Sequence, residues 1–148
     1  EKINEARGVS NLIEKIGLKE KTNNSRGIDV ILGKWFGENQ CSGGEWQRIA
    51  IARALFNENA EMYFFDEPDA ALDIIKQKEI YKLIREKTKN KICVYVTHKI
   101  SNICKDADTI IILKNGKIED IGRHDELINK SNYYYQLYLK YTSEKEKK

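Results

Sequence analysis

Two short apolar runs with a helical stretch between them, and an Asn-Gly turn further on, predict an α/β fold. It is a mostly parallel sheet with an antiparallel edge hairpin. The runs are Met62-Tyr63-Phe64-Phe65 and Ile92 to Val96, both suited to buried strands. Between them Ile74, Ile75, Ile80, Leu83 and Ile84 form the apolar side of a helix that Asp73 can cap. Asn115-Gly116 is a strong hairpin signal. The chain has 148 residues, 41% hydrophobic and 33% charged, enough for a cored domain without disulfide staples.

The elements follow in order. Ile3, Ala6, Val9, Leu12, Ile13 and Ile16 recur at helical spacing, and Gly17 closes that helix. Lys19 to Gln40 is polar and dotted with glycine, apart from an apolar patch at Ile28 to Leu32, and reads mostly as loop. Ser42 with Glu45 three residues on has capping-box spacing, so a helix runs from about Gly43 to Phe56. These two leading helices suggest a separate helical layer. Pro68, the only proline, stops the first strand. After the second strand come a short helix near Ile100 to Lys105, a strand from Thr109 to Leu113, and its hairpin partner from Lys117 to Ile121. Helices at Asp125 to Asn129 and Asn132 to Tyr141 finish the fold, and the tail from Ser143 is charged.

Several classes are excluded. No apolar stretch is long enough to span a membrane, and the first residues of the sequence do not read as a charged-then-apolar signal peptide. Net charge is +3, from 26 basic and 23 acidic residues, too balanced to argue for a nucleic-acid partner. Cys41, Cys93 and Cys104 offer neither a disulfide framework nor a C-x-x-C zinc site, which suits a reducing compartment.

Three clusters carry chemistry. Phe65-Asp66-Glu67 ends a strand where open α/β sheets place ligands. There Asp66 can hold Mg²⁺ and Glu67 can polarise a water. Ser42-Gly43-Gly44-Glu45 opens a helix whose free N–H groups and dipole favour an anion. Val96-Thr97-His98 puts an imidazole just past a strand, able to donate to a phosphate oxygen. Taken singly, each has an ordinary structural explanation: an acidic turn, a capped helix, a turn histidine.

Their order is more specific. Cys41-Ser42-Gly43-Gly44-Glu45, then Trp46-Gln47-Arg48-Ile49-Ala50-Ile51-Ala52-Arg53-Ala54-Leu55, then Asp66-Glu67-Pro68, then Ala70-Ala71-Leu72-Asp73, then Thr97-His98 resembles the nucleotide-binding domain of an ABC transporter. The stretch from Ala107-Asp108-Thr109 through Asn115-Gly116-Lys117 to His124-Asp125-Glu126-Leu127 is similar to the exporter type. The resemblance runs to about Tyr141.

It implies a RecA-like P-loop NTPase core plus part of the ABC helical subdomain. The implied division is 1–56 for the helical subdomain and signature helix, 57–130 for core strands, and 131–148 for the C-terminal helix and tail. Cys41 to Glu45 would be the signature loop and Met62 to Asp66 the Walker B strand, with Asp66 at the metal. Glu67 would be the catalytic carboxylate, Ala70 to Asp73 the D-loop, and His98 the switch histidine. ATP and Mg²⁺ would be bound in a head-to-tail dimer with a second nucleotide-binding domain, against a transmembrane domain, on the cytoplasmic face of the membrane. Cys41, Ser42, Gly43, Gly44, Glu45 and Asp73 would contribute to that nucleotide interface. His124 would be a surface residue of the hairpin-to-helix corner. Trp46 reads as core or interface packing, and Trp35 with Phe36 as candidate contacts to the membrane domain.

Some features depart from the family pattern. The family's G-x-x-x-x-G-K-[S/T] cradle has only a near miss, Gly27 to Gly33-Lys34, where five residues separate the glycines and Trp35 replaces the Ser or Thr. The Q-loop glutamine has no counterpart. Cys41 stands where Leu is common, Glu45 where Gln is usual, and Asp69 and Ala70 where Thr and Ser are frequent. The 148-residue chain by itself is therefore expected neither to bind ATP tightly nor to hydrolyse it. Two other readings remain open at this point: a DNA-maintenance ATPase of the same superfamily, and a non-catalytic module or remnant offering only the signature face to a partner.

Overall fold

The computed structural model describes residues 2–22, 41–100, 102–130 and 133–145. The apolar patch at Ile28 to Leu32, the near-miss cradle, and Trp35 with Phe36 lie outside the described residues. The chain divides into two compact units, Glu1–Val96 and Thr97–Lys148.

In the first unit, α1 (Lys2–Lys15) ends where glycine is needed. Gly17 has φ +70°, its N–H donates to the Glu14 carbonyl, and the Leu18 N–H reaches back to Ile13. That is a Schellman stop, and buried Leu18 supplies its apolar contact. Within the stretch expected as loop, Lys19–Thr22 makes one 3₁₀ turn. Helix α2 (Gly43–Phe56) starts at the Ser42 cap, and β1 (Met62–Asp66) leads toward α3 (Ile74–Lys87). Strand β2 (Ile92–Val96) lies parallel to β1, with Met62 opposite Ile92 and Asp66 opposite Val96.

One apolar cluster holds this unit together. Leu12, Ile16, Ile51, Leu55, Tyr63, Phe65, Ile80, Leu83 and Ile84 all belong to it, so α1, α2 and α3 share a core with β1. The expectation of strands buried on both faces is corrected. Tyr63 and Phe65 point into the cluster, whereas Phe64 is 69% exposed and Met62, Ile92 and Val96 are exposed with it. Strand side chains alternate, and the described residues cover one face only. The stripe on α3 is corrected too. Ile80, Leu83 and Ile84 are buried, but Ile74 and Ile75 sit in the first turn, beyond the reach of that cluster, and are exposed. Trp46 is also exposed rather than core.

The second unit contains α4 (Asn102–Asp106), the hairpin β3 (Ile110–Lys114) and β4 (Lys117–Gly122), α5 (His124–Ile128) and α6 (Tyr133–Lys145). Asn115 at φ 51° and Gly116 at φ 72° supply the two left-handed residues that a tight hairpin turn requires. Cys104, Ile112, Leu127 and Tyr134 form its core. His124 is not the surface residue expected. It is buried, its Nδ1 lies 2.7 Å from the Tyr134 hydroxyl, and its ring meets Tyr134 and Tyr138 edge-on. Its place at the first residue of α5 turns the ring toward α6 rather than toward solvent. Burial holds the Tyr134 phenol well above the ordinary tyrosine value of 10.

Candidate functional site

The first unit brings two of the sequence-derived clusters together. Ser42 caps α2 by a reciprocal pair: its Oγ accepts the Glu45 N–H at 3.2 Å, and Glu45 Oε2 accepts the Ser42 N–H at 2.7 Å. The Ser42 hydroxyl keeps a proton to donate. This pairing also gives Glu45 a structural task that the usual glutamine can perform equally well.

The two glycines differ. A Cβ on Gly43 meets nothing within 4 Å among the described residues, so Gly43 leaves an open approach to the helix start. A Cβ on Gly44 falls 2.7 Å from the Ala71 carbonyl oxygen and 3.4 Å from Leu72. Gly44 is small because the chain's own 70–73 turn passes over it, a reason the sequence alone does not separate from ligand approach.

At the end of β1, Asp66 is exposed and Glu67 is partly buried. Glu67 has φ +43°, a left-handed backbone that non-glycine residues rarely adopt and that surrounding bonds must hold. Three bonds do so. The Glu67 N–H donates to the Val96 carbonyl at 2.9 Å, and the Glu67 carbonyl accepts from the Ala70 N–H at 3.1 Å and from Gln47 Nε2 at 2.8 Å. Gln47 Oε1 in turn accepts the Ala71 N–H at 2.9 Å. A second glutamine, Gln77, donates to the Asp69 and Leu72 carbonyls at 3.1 and 2.9 Å. Asp73 ends the turn by capping α3. Its Oδ1 accepts from Lys76 N–H at 2.9 Å and Ile75 N–H at 3.0 Å. Those bonds, the Lys76 one foremost, hold its carboxyl below the usual 3.8.

Sequence reading did not single out Gln47. The available signal was its position: three residues after Gly44 on a helix, Gln47 shares the face that carries the glycine. His98 belongs to the second unit, exposed, in a bend where the Thr97 hydroxyl accepts the Lys99 N–H at 3.0 Å. Cys41 immediately precedes the Ser42 cap and is partly buried. The described residues contain no group of three or more His, Cys, Asp or Glu arranged to hold a metal ion. Asp66, with Glu67 next to it, puts carboxylate oxygens at the strand end, donors that fit Mg²⁺, which commonly takes one or two carboxylates beside substrate phosphates and water.

No family model matches the chain. Individual relatives do. The nisin transport ATP-binding protein of Lactococcus lactis subsp. lactis is 40% identical over 132 residues, 88% of this chain and 22% of the relative. The glutathione/L-cysteine transport system ATP-binding/permease protein of Escherichia coli is 36% identical over 130 residues, 86% of this chain and 22% of the relative. The solved structure of a bacterial Atm1-family ABC exporter with ATP bound superimposes with a TM-score of 0.74 at 28% identity, over 90% of this chain and 23% of the exporter chain. The chain belongs to the ABC exporter ATP-binding family. The α/β fold expected of an ABC nucleotide-binding domain is thus found. This ABC chain spans about a fifth of the length of such relatives, 22% for the nisin protein. No described helix is long and apolar enough to cross a membrane.

Proposed function

We propose that this chain serves ATP hydrolysis in the nucleotide-binding domain of an ABC-type membrane exporter. The observation that carries the proposal is Glu67. It is a partly buried carboxylate at the end of a parallel strand, beside Asp66, on a left-handed backbone fixed by hydrogen bonds from two directions.

In this reading Glu67 takes a proton from a water as the water oxygen attacks the γ-phosphorus and the bond to the bridging oxygen breaks, releasing ADP and phosphate. Asp66 holds Mg²⁺, which neutralises phosphate charge when bound. His98 donates to a γ-phosphate oxygen. Ser42 and the amides of Gly43 and Gly44 face the nucleotide of a second nucleotide-binding domain, so the working unit is a head-to-tail dimer. Asp73, at the end of the 70–73 turn, lies at the same interface. The relatives are transport proteins, which supports coupling to a transmembrane domain on the cytoplasmic face of a membrane.

The test is steady-state ATP hydrolysis by the full-length protein that carries this chain, beside its Ser42→Arg variant. Wild type is expected to hydrolyse ATP when Mg²⁺ is present. The arginine is expected to lower turnover on the order of a hundredfold, by filling the open approach where a phosphate would be positioned. A wild-type protein that hydrolyses no ATP contradicts the proposal, and so does an arginine variant with normal turnover.

A further inference from the structure

We infer that Gln47 is a positioning residue for hydrolysis. Its side-chain amide fixes the left-handed backbone of Glu67 and locks that residue to the start of α2, where Ser42 and Gly44 lie. The inference rests on the proposed role of Glu67.

The geometry is specific in three ways. First, the bridge has a fixed polarity. The Glu67 carbonyl can only accept and the Ala71 N–H can only donate, so the Gln47 amide fits in one orientation, Nε2 to Glu67 at 2.8 Å and Oε1 to Ala71 at 2.9 Å. A flipped amide would oppose oxygen to oxygen and N–H to N–H. Second, the bridge acts at the strained residue itself. A non-glycine residue at φ +43° is stable only where neighbouring groups over-determine it, and Gln47 supplies one of the three bonds that do. Third, the contact between α2 and the turn is also close at Gly44. Gly44, one helical turn before Gln47, leaves room for the Ala71 carbonyl where a Cβ would stand 2.7 Å away. Movement of the α2 start is therefore transmitted to the backbone that aims Glu67, by a rigid amide and a contact without slack.

The chemistry implies a separation. Both ends of the Gln47 amide are taken up by the chain's own backbone, so its loss should alter the rate of the step that Glu67 serves and leave the binding of ATP nearly intact.

Two substitutions in the full-length protein divide the bridge. Gln47→Leu removes both bonds. Gln47→Glu keeps an acceptor for the Ala71 N–H but loses the donor to the Glu67 carbonyl. Both should lower kcat for ATP about ten- to hundredfold, the scale expected when a reacting group is misplaced by a fraction of an ångström to an ångström, with KM for ATP within about threefold of wild type. Amide exchange at Ala71, followed by mass spectrometry or NMR, should be about tenfold faster in Gln47→Leu than in wild type or Gln47→Glu. A kcat for Gln47→Glu within about twofold of wild type overturns the inference, as does an Ala71 amide in wild type that exchanges without protection. If Gln47→Leu fails to fold, the glutamate variant and the wild-type exchange decide. A wild-type protein without ATPase activity is a different failure: it removes the role of Glu67 and the inference with it, whereas active wild type beside an equally active Gln47→Glu removes the inference alone.

Discussion

The Glu67–Asp73 turn and the His124–Tyr134 corner both follow a strand and both set a titratable side chain in place, yet they are held by opposite means. At the first, backbone groups are stitched by Gln47 and Gln77, and Glu67 stays partly accessible. At the second, His124 is removed from solvent against Tyr134 and Tyr138, with one short hydrogen bond to Tyr134. Polar stitching fixes the direction of a group and leaves it partly accessible. Burial fixes a group by closing it off from solvent. The first arrangement suits chemistry, the second architecture.

Substitutions can break or sharpen that contrast. The largest effect expected is that of Glu67→Gln, which should lower ATP turnover on the order of 10²- to 10⁴-fold while leaving stability within about 0.5 kcal/mol. Leu127→Ala, at a fully buried position, should do the reverse. It should cost about 2–5 kcal/mol in thermal or denaturant unfolding of the second unit, with turnover per folded molecule kept. Gly44→Ala tests whether the turn is rigid. Its Cβ would press the Ala71 carbonyl, and the expected cost is about 1–3 kcal/mol together with slower turnover.

Tyr134→Phe should cost about 1 kcal/mol by removing the partner of His124. It also carries a pH signature. The Tyr134 phenol titrates above its ordinary value of 10 in the folded chain. Above that pH the unfolded chain gives up its proton first, so stability falls as pH rises. The phenylalanine variant should lose less stability in alkali than wild type does. Asp73→Ala should have the smallest effect, a slight drop in melting temperature at neutral pH. The folded Asp73 carboxyl is depressed below 3.8, so its contribution is present above that pH and fades as pH falls further, and the alanine variant should lack that acid-side loss.

Local signals made most elements readable. Capping-box spacing located α2 at Ser42, the glycine stop located the end of α1, and Asn115-Gly116 located the hairpin. What the sequence left hidden depends on which neighbours reach a side chain. Phe64 and Phe65 are the same residue type side by side, and only the pleat sends one into the core and the other to the surface. Ile74 and Ile75 fit the helical stripe of Ile80 and Ile84 but lie past the edge of the shared core. His124 looked polar and terminal, and its burial follows from Tyr134, ten residues away. In the candidate site the carboxylates at the end of β1 and the capped glycine start of α2 could be located from the sequence. The Gln47 bridge was not, because it joins residues 20 and 24 positions apart and no local pattern records such a pairing.

The most direct test of the contrast is ATP turnover per folded molecule, measured with melting temperature on the same samples of the full-length protein carrying Glu67→Gln or Leu127→Ala. Glu67→Gln should lose turnover at an unchanged melting temperature, and Leu127→Ala should lose melting temperature at unchanged turnover. A Glu67→Gln protein that still hydrolyses ATP within about twofold of wild type would contradict the assignment of chemistry to the Glu67–Asp73 turn.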